Sequence, residues 1–330
     1  MVTNRIWRTL SAFNHSTRRW VPIPLRNAQS QGTQGPSLTS RALRNIDTFW
    51  KTQTLSLLSW NIDAFSPRPV SRAKLILGYI LEGPKSPDII FLQEVTPEVR
   101  ASLLDDTRVR ASFLVTDAED QTSFENVPFA TMTLLSSARF SSDLDSQKEG
   151  DGIERVEKFM LGPVSRVILP SKYGRDALYV DIIPPTAPGT FFRLINVHLD
   201  SLWDTLCYRA QQMEILANVL RESGCSGGTI AGDFNAIRPE DDELINKNEL
   251  VDAWVALRGR ADPAGATWSV GGERRDGLGP GRLDKIAMIS LKAKEMEVLR
   301  PGSIELARPG EKPVEIPWSD HCGLRCTFTI

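Results

Sequence analysis

One local pattern occurs five times in the sequence: a short apolar run that ends in polar or acidic residues. Each run has the length and composition of a buried β-strand, and the polar residues follow where that strand would end. The backbone at a strand end is rigid, so a fold that brings the five strand ends together also brings their side chains together. The segments are Ser59-Trp60-Asn61-Ile62-Asp63, Leu92-Gln93-Glu94-Val95, Asn196-Val197-His198-Leu199-Asp200, Gly232-Asp233-Phe234-Asn235 and Ser319-Asp320-His321.

Strand and helix patterns alternate from residue 54 to the end of the sequence. Helical spacing is found at 72–81, 98–104 and 204–222, the last with one apolar face. Many strands with few helices predict an α/β fold in which two packed sheets are flanked by helices. The predicted strands are 55–60, 88–92, 111–116, 129–135, 155–160, 164–170, 176–183, 191–199, 229–231, 283–289, 292–298 and 323–329.

Charge is spread unevenly along the chain. The net charge is −2, but residues 1–46 contain seven arginines and no acidic residue. The remainder therefore has 32 basic and 41 acidic residues, a net charge of −9. An acidic body is unlike a general nucleic-acid coat, and it suits a carboxylate cluster that binds a divalent cation.

Residues 1–50 have the composition of a basic extension followed by a linker, which puts the catalytic domain at 51–330. The basic, acid-free start resembles a mitochondrial presequence. The alternative is a disordered arm, or one that docks through Trp20, Val21, Ile23 and Leu25. No apolar run is long enough for a membrane span.

The polar residues at the five strand ends match the needs of phosphodiester hydrolysis. Hard cations such as Mg²⁺ prefer carboxylate oxygen, and an activated water supplies the nucleophile. Taken alone, an Asp or Asn after a strand is more often a turn former, and a single His is more often structural. Two of the three histidines, His198 and His321, lie in these segments, which favours the catalytic interpretation.

These motifs, in this order, resemble the endonuclease/exonuclease/phosphatase superfamily, and within it the tyrosyl-DNA phosphodiesterase branch. The resemblance covers about residues 54–330 and implies a four-layer α/β sandwich of two mixed sheets flanked by helices. The sequence departs from that branch after Ser201 and after Asn235, where Leu202-Trp203 and Ala236-Ile237-Arg238-Pro239 stand. Besides the strand-end motifs, the matching residues are Arg209, Thr267-Trp268 and Arg282-Leu283-Asp284-Lys285-Ile286.

The resemblance implies a role for each site residue. Glu94 would be the principal Mg²⁺ ligand, with Asp63 and Asp320 supporting the metal through water; Mn²⁺ could substitute. Asn61 and Asn235 would hold phosphate oxygens and the attacking water, which Asp233 would orient or deprotonate. His198 and His321 would contact the phosphate, and Asp284 would fix the tautomer of His321.

The same resemblance implies a substrate: DNA ends, single-stranded at the 5′ side or carrying a protein adduct. The alternatives are the same chemistry on a phosphoinositide, sphingomyelin, nucleotide or poly(A), and a non-catalytic scaffold with this fold. We expect a monomer in the nucleus, with the mitochondrion as the alternative compartment. The candidate substrate-binding residues are Trp203, Arg209, Arg238, Trp268, Arg274, Arg275 and Arg282.

The glycine-rich segment around Arg274 and Arg275 generates the first prediction. If this segment closes over a DNA strand, neutralising both arginines removes phosphate contacts that depend on salt. The double variant should raise KM for DNA ends and leave a small chromogenic phosphodiester almost unchanged. Steady-state kinetics on both substrates measures this, and equal losses on the two would contradict the proposed DNA contact.

Overall fold

The computed structural model describes residues 4–25, 53–83, 85–142, 158–185, 187, 189–271, 279–307, 310 and 312–330. The helices of this part are α1 (Pro69–Leu81), α2 (Pro97–Asp105), α3 (Thr107–Ser112), α4 (Leu206–Leu220), α5 (Leu244–Lys247) and α6 (Ala253–Arg258). The strands are β1 (Arg5–Arg8), β2 (Leu10–Asn14), β3 (Arg19–Pro22), β4 (Thr54–Asn61), β5 (Ile89–Val95), β6 (Phe113–Thr116), β7 (Ala130–Ser136), β8 (Phe140–Ser141), β9 (Phe159–Ile168), β10 (Asp176–Ile183), β11 (Phe191–His198), β12 (Cys225–Asp233), β13 (Val251–Asp252), β14 (Asp284–Ile289), β15 (Lys292–Leu299), β16 (Ser303–Leu306), β17 (Val314–Pro317) and β18 (Gly323–Thr329).

Two mixed sheets form the centre of the described chain. Sheet A has the order β1-β9-β10-β11-β12-β14-β13, with β8 also beside β9, and sheet B has the order β15-β18-β4-β5-β7-β6-β2-β3. Strands β16 and β17 form a separate hairpin. Strands β11 and β12 run parallel in sheet A, and β4 and β5 run parallel in sheet B, so the polar ends of each pair lie at the same edge.

Three apolar clusters define the layers. One contains residues such as Leu57 and Phe91 of sheet B and Leu178 and Ile286 of sheet A, and it fills the space between the sheets. A second packs the other face of sheet B on α1 to α3, and a third packs the other face of sheet A on α4 and α5. The four-layer α/β sandwich predicted from the sequence is therefore confirmed.

Local sequence explains the facing of strand β4 and the start of helix α2. Strand β4 alternates, with Leu55 and Leu57 toward the inter-sheet core and Leu58 and Trp60 toward the helices. Helix α2 begins at Pro97 because the Thr96 side chain accepts a hydrogen bond from the Val99 N–H. No helix among the described residues is long and apolar enough to cross a membrane.

The N-terminal residues correct the prediction of a separate extension over 1–50. Strand β1 pairs with β9 in sheet A, and β2 pairs with β6 in sheet B, so the segment 5–22 belongs to both sheets. Trp20 donates to the Leu104 carbonyl at 3.1 Å, which also fixes β3. Composition alone could not reveal partners that lie so far along the chain. The predicted linker at 27–41 lies outside the described residues.

Arg209, predicted to bind substrate, is a structural residue inside the fold. Its side chain is fully buried on α4, and Nε and Nη2 donate to Asp241 at 2.7 and 2.8 Å. Nη1 donates to the carbonyls of Asp200 and Leu202 and to Thr205 Oγ1. All its donor groups are used, so Arg209 holds the loop after β11 in place.

This buried pair generates a stability prediction. Arg209→Met leaves Asp241 charged, buried and unpaired, and should lower the free energy of unfolding by about 3–5 kcal/mol. Arg221→Met, on the partly exposed end of the same helix, is the matched control and should cost about 1 kcal/mol or less. Urea denaturation measures both. An Arg209 variant with unchanged stability and a raised KM would restore the substrate-binding interpretation.

Candidate active site

Sheet A brings three predicted residues into one row. In the register of the sheet, His198 lies beside Asp233, and Asp233 lies beside Asp284, at the ends of β11 and β12 and the start of β14. Their neighbours in the strands, such as Val197, face the outer cluster, so these three side chains face sheet B. Strand pairing alone therefore sets the spacing of half the site.

Glu94 reaches the site through a bulge in β5. The register between β5 and β7 shifts between Leu92 and Val95, and Glu94 has φ of 57°. Gln93 already faces the inter-sheet space, where it donates to Asn196 at 2.8 Å. Regular alternation would send Glu94 to the opposite face, and the bulge turns it inward. Such a left-handed residue is strained and is typical of functional sites.

Asn61 joins the two sheets at the site. Its Nδ2 donates to Glu94 Oε1 at 3.1 Å and to Asp233 Oδ2 at 3.0 Å. Its Oδ1 accepts from the Asp63 N–H at 3.0 Å, which fixes the amide orientation. Asn61 is fully buried, so this one side chain sets the distance between the carboxylate of sheet B and that of sheet A.

Asp284 and His321 form a buried pair. His321 Nδ1 lies 2.8 Å from Asp284 Oδ2, within the separation that the sequence-based role requires. The turn that carries His321 is anchored to sheet B, because Trp60 Nε1 donates to the His321 carbonyl and Ser319 Oγ donates to the Asn61 carbonyl. We refer to Asn61, Glu94, His198, Asp233, Asp284 and His321 as the catalytic cluster.

Burial and mutual charge shift the pKa values of the cluster. Burial raises the pKa of Asp233 to about 7; His321 opposes this and Asp284 adds to it. Burial also raises the pKa of Glu94, against hydrogen bonds from Ala64 and Asn61. Burial lowers the pKa of His321, but Asp284 and Asp233 outweigh it and raise that pKa well above the ordinary value. His321 is therefore the cation of the cluster.

His198 is neutral and lies among groups that the sequence did not reveal. Burial, then the charge of Arg175, lowers its pKa well below the ordinary value. Arg175 Nη2 lies 3.3 Å from His198 Nε2, and since Arg is always protonated it donates there, which leaves the ring proton on Nδ1. Phe129 stacks on His198 with ring centroids 5.5 Å apart, and the Arg175 guanidinium lies 5.1 Å from the Phe129 centroid.

Arg175 was missed because it follows Gly174 in a turn with no recognisable motif. A usable signal was present: strands 176–183 and 191–199 were both predicted, and antiparallel pairing puts the start of one beside the end of the other. The structure has this pairing, with Ala177 opposite Val197. A residue just before β10 must then lie near His198.

Glu94 is the cluster residue that best fits a hard divalent cation. Asp233, Asp284 and His321 also approach within 4.8 Å of one another. His321, however, keeps protons on both ring nitrogens, and a metal-bound His must have a free lone pair. Glu94 is only partly buried, with 14% of its side chain exposed, which suits Mg²⁺ held by one or two carboxylates and water.

The other two predicted metal residues, the buried Asp63 and the half-exposed Asp320, are engaged elsewhere. Asp63 Oδ1 accepts from the N–H groups of Phe65 and Ser66, and Oδ2 lies 3.4 Å from Arg72. Asp320 is half exposed and accepts from Trp268 Nε1 at 3.1 Å. Their roles toward a metal remain predictions. Trp268 itself is placed beside the cluster, because it bridges to His321.

Asn235 lies within the site, and its amide is already oriented. Its Nδ2 donates to the Leu199 carbonyl at 2.9 Å, and its N–H donates to Asp233 Oδ1 at 2.8 Å. Its φ of 49° turns the chain sharply after β12. Its proposed contact with phosphate stays a prediction.

The remaining substrate-binding candidates divide into three groups. The assignment of Arg282 to substrate binding is corrected, because its guanidinium contacts the Asp252 carboxylate at 2.7 and 3.0 Å and is therefore already paired. Arg238 lies 4.9 Å above the exposed Trp203 ring and also pairs with Glu240, so these residues form a surface platform. Arg274 and Arg275 lie outside the described residues.

Fold and site together define a hydrolase whose catalytic side chains stand at the ends of two facing sheets. The sequence profile of the endonuclease/exonuclease/phosphatase family matches residues 58–322. The chain belongs to this family, and the prediction of a phosphodiester hydrolase is confirmed at that level.

Three known proteins resemble this chain in sequence or in structure. Tyrosyl-DNA phosphodiesterase 2 of Mus musculus is 25% identical over 288 residues, which is 84% of this chain and 67% of the relative. The structure of D. rerio TDP2 complexed with single strand DNA product superposes with a TM-score of 0.60 at 20% identity, over 84% of this chain and 99% of that one. The structure of the human Nocturnin catalytic domain with bound sulfate anion superposes with a TM-score of 0.53 at 20% identity. The match covers 85% of this chain and 98% of that one.

The Asp284–His321 pair generates a prediction about pH. Asp284→Asn removes the largest charge that raises the pKa of His321, so the ring loses its proton at lower pH than in the wild type. The rate should fall about 10- to 100-fold near neutrality, and the loss should grow as pH rises above neutrality. Asp204→Asn, at an exposed aspartate, is the matched control. A loss that is constant across pH would contradict the proton-holding role.

Proposed function

We propose that this chain is a divalent-cation-dependent phosphodiesterase that removes tyrosyl groups from DNA 5′ ends. The observation that carries the chemistry is the cluster itself, in which Asp233, with a pKa raised to about 7, lies across from the Asp284–His321 pair. A base, a cation and hydrogen-bond donors thus surround one space. Phosphodiester hydrolysis requires this combination.

Each protein group has a distinct task in the proposed reaction. Asp233 accepts a proton from the attacking water, for which a pKa near neutrality is well matched. Protonated His321 donates to a non-bridging phosphate oxygen and balances the charge that develops there. His198 turns Nε2 toward the cluster, 3.4 Å from Asp233 Oδ2, and Arg175, which donates to that nitrogen, is the charged donor on this side. Asn61 keeps Glu94 and Asp233 at a fixed separation.

Glu94 would hold the cation, for which we propose Mg²⁺, with Mn²⁺ able to replace it. Such a cation supplies Lewis-acid stabilisation of phosphate charge. The proposal is supported by the desolvation of Glu94, which raises the pKa of its carboxyl and which a divalent cation at the carboxylate would offset.

The groups beside His198 support an aromatic leaving group. A tyrosyl leaving group departs as a phenolate, and its charge and ring can both be met by a cation and an aromatic face. Arg175 and Phe129 present these two surfaces together within reach of the cluster. The name of the Mus musculus relative and the single-strand DNA product bound to the D. rerio relative support the same substrate class.

A second candidate is a small phosphodiester, such as a nucleotide or an inositol phosphate. Two arginines that were predicted to bind DNA favour this candidate, because Arg209 and Arg282 both form ion pairs with aspartates of this chain. With a net charge of −9 beyond residue 46, the body offers little attraction to a long polyanion. A scaffold without activity is disfavoured because every position of the catalytic cluster holds the expected residue type.

The substrate class can be tested with one panel. The purified chain with Mg²⁺ is assayed on 5′-phosphotyrosyl DNA, plain single-stranded DNA, abasic DNA, inositol phosphates and sphingomyelin. We expect the highest kcat/KM on phosphotyrosyl DNA. A preference for inositol phosphates or nucleotides would move the assignment to the second candidate. We propose a monomer acting in a compartment that contains DNA, the nucleus or the mitochondrion.

The cation is tested in the same assay. Chelation by EDTA should abolish turnover, and Mg²⁺ or Mn²⁺ should restore it. Glu94→Gln should lower kcat about 100-fold or more, because several kcal/mol of charge stabilisation is lost. Glu98→Gln, an exposed glutamate at the start of α2, is the matched control. Full activity in chelator would overturn the mechanism.

A further inference from the structure

A cavity of about 520 Å³ opens beside the catalytic cluster, on the side of His198. Its walls come from strand β1, the segment before β7, strand β9, the turn before β10, the turn after β11 and the loop that carries Phe65. The lining includes Ile6, Arg8, Phe129, Tyr173, His198 and Leu202. Because His198 lines this cavity and also belongs to the catalytic cluster, the cavity adjoins the cluster.

The walls of this cavity are unusually apolar for an exposed surface. Twelve large hydrophobic residues are exposed in the described part of the chain, and five of them line this one cavity. Scattered exposed apolar side chains need no explanation, but a contiguous group beside a catalytic cluster indicates a binding surface. Phe65 and Leu202 are the most exposed of the five.

The N-terminal strand reaches this cavity through the register of sheet A. Ile6 lies opposite Arg166 of β9, and β9 pairs in turn with β10, whose first residue is Asp176. Alternation in β1 then points Ile6 and Arg8 into the cavity and Trp7 away from it. Ile6 is 42% exposed, and Trp7 is 64% exposed. Neighbours on one strand thus differ in whether they face the cavity.

Buried charges fix the position of this strand. Arg8 pairs with Asp120 and lies 3.8 Å from Asp117, and it also donates to Thr122. Asp117 binds Arg166 at 2.8 Å, and Arg166 binds Asp176 at 2.8 Å. This chain of ion pairs runs from the N-terminal strand to the residue next to Arg175. The wall that Ile6 contributes is therefore held in register with the residues around His198.

We propose that the N-terminal strands, residues 5–22, complete the substrate-binding groove, and that Ile6 contacts apolar residues flanking the tyrosine of a peptide attached to the DNA end. This inference rests on the proposed function and deepens it. The leaving tyrosine lies against Phe129 and Arg175, and the peptide on either side of it continues along the apolar walls. The preferred substrate is thus a tyrosyl peptide with apolar neighbours rather than a single tyrosine.

The test compares three adducts on the same oligonucleotide: free tyrosine, a tyrosyl peptide with Leu neighbours and one with Ser neighbours. The wild type should have a lower KM for the Leu peptide than for the Ser peptide. Ile6→Asp should remove this preference, raising KM for the Leu peptide about fivefold or more with kcat unchanged, because an apolar contact is lost. The free-tyrosine adduct should be unaffected.

Trp7→Ser is the matched control, since it changes the adjacent residue on the opposite face of β1, and it should keep the preference. If Ile6→Asp does not fold by circular dichroism, Ile6→Ser replaces it. An unchanged preference in the Ile6 variant, or equal losses on all three adducts, would overturn the inference. Wild-type turnover of all three without preference rejects the inference alone, whereas no turnover of any tyrosyl adduct rejects the proposed function as well.

Discussion

The site depends on placing three carboxylates, Glu94, Asp233 and Asp284, together away from water. Buried charge is costly unless it is paired and hydrogen-bonded, and like charges add to the cost. The structure offsets this cost with one cation, His321, between Asp284 and Asp233, and with the two N–H groups of Asn61 between Asp233 and Glu94. The strand ends, the β5 bulge and the turn before β18 serve to hold these partners in place.

This arrangement makes the site a property of the whole sandwich. Asp233 and Asp284 come from sheet A, and Asn61 and Glu94 come from sheet B, so the cluster exists only while the sheets keep their relative position. A second polar contact lies deeper between the sheets, where Gln93 donates to Asn196 and Asn196 donates to the Leu92 and Met132 carbonyls. Directional hydrogen bonds of this kind fix the alignment of two apolar faces that could otherwise slide.

The sequence predicted best what depends on local pattern. Strands 176–183 and 323–329 were found with their observed bounds, and the strand-end motifs located every member of the cluster except Asp284, which the family resemblance supplied. The neighbours of the cluster, Arg175 and Phe129, were missed. Orientation was harder, because alternation sends Glu94 outward and only the bulge turns it in. Arg209 and Arg282 were misassigned since their partners, Asp241 and Asp252, lie about 30 residues away in sequence and carry no signature of pairing. The N-terminal strands were predicted to be an extension for the same reason, because their partners β9 and β6 lie more than 100 residues away in sequence.

That distance has a consequence for biosynthesis. Arg5 pairs with Val167, and Leu10 pairs with Thr116, so the first strands of the chain emerge long before their partners exist. Strands β6 and β9 would present open edges until the N-terminal segment adds to them, and open edges template pairing with other chains. Contacts between such distant residues form slowly. Pairing of β1 and β2 therefore also covers open edges of both sheets, so loss of residues 5–22 should expose the sheets to self-association.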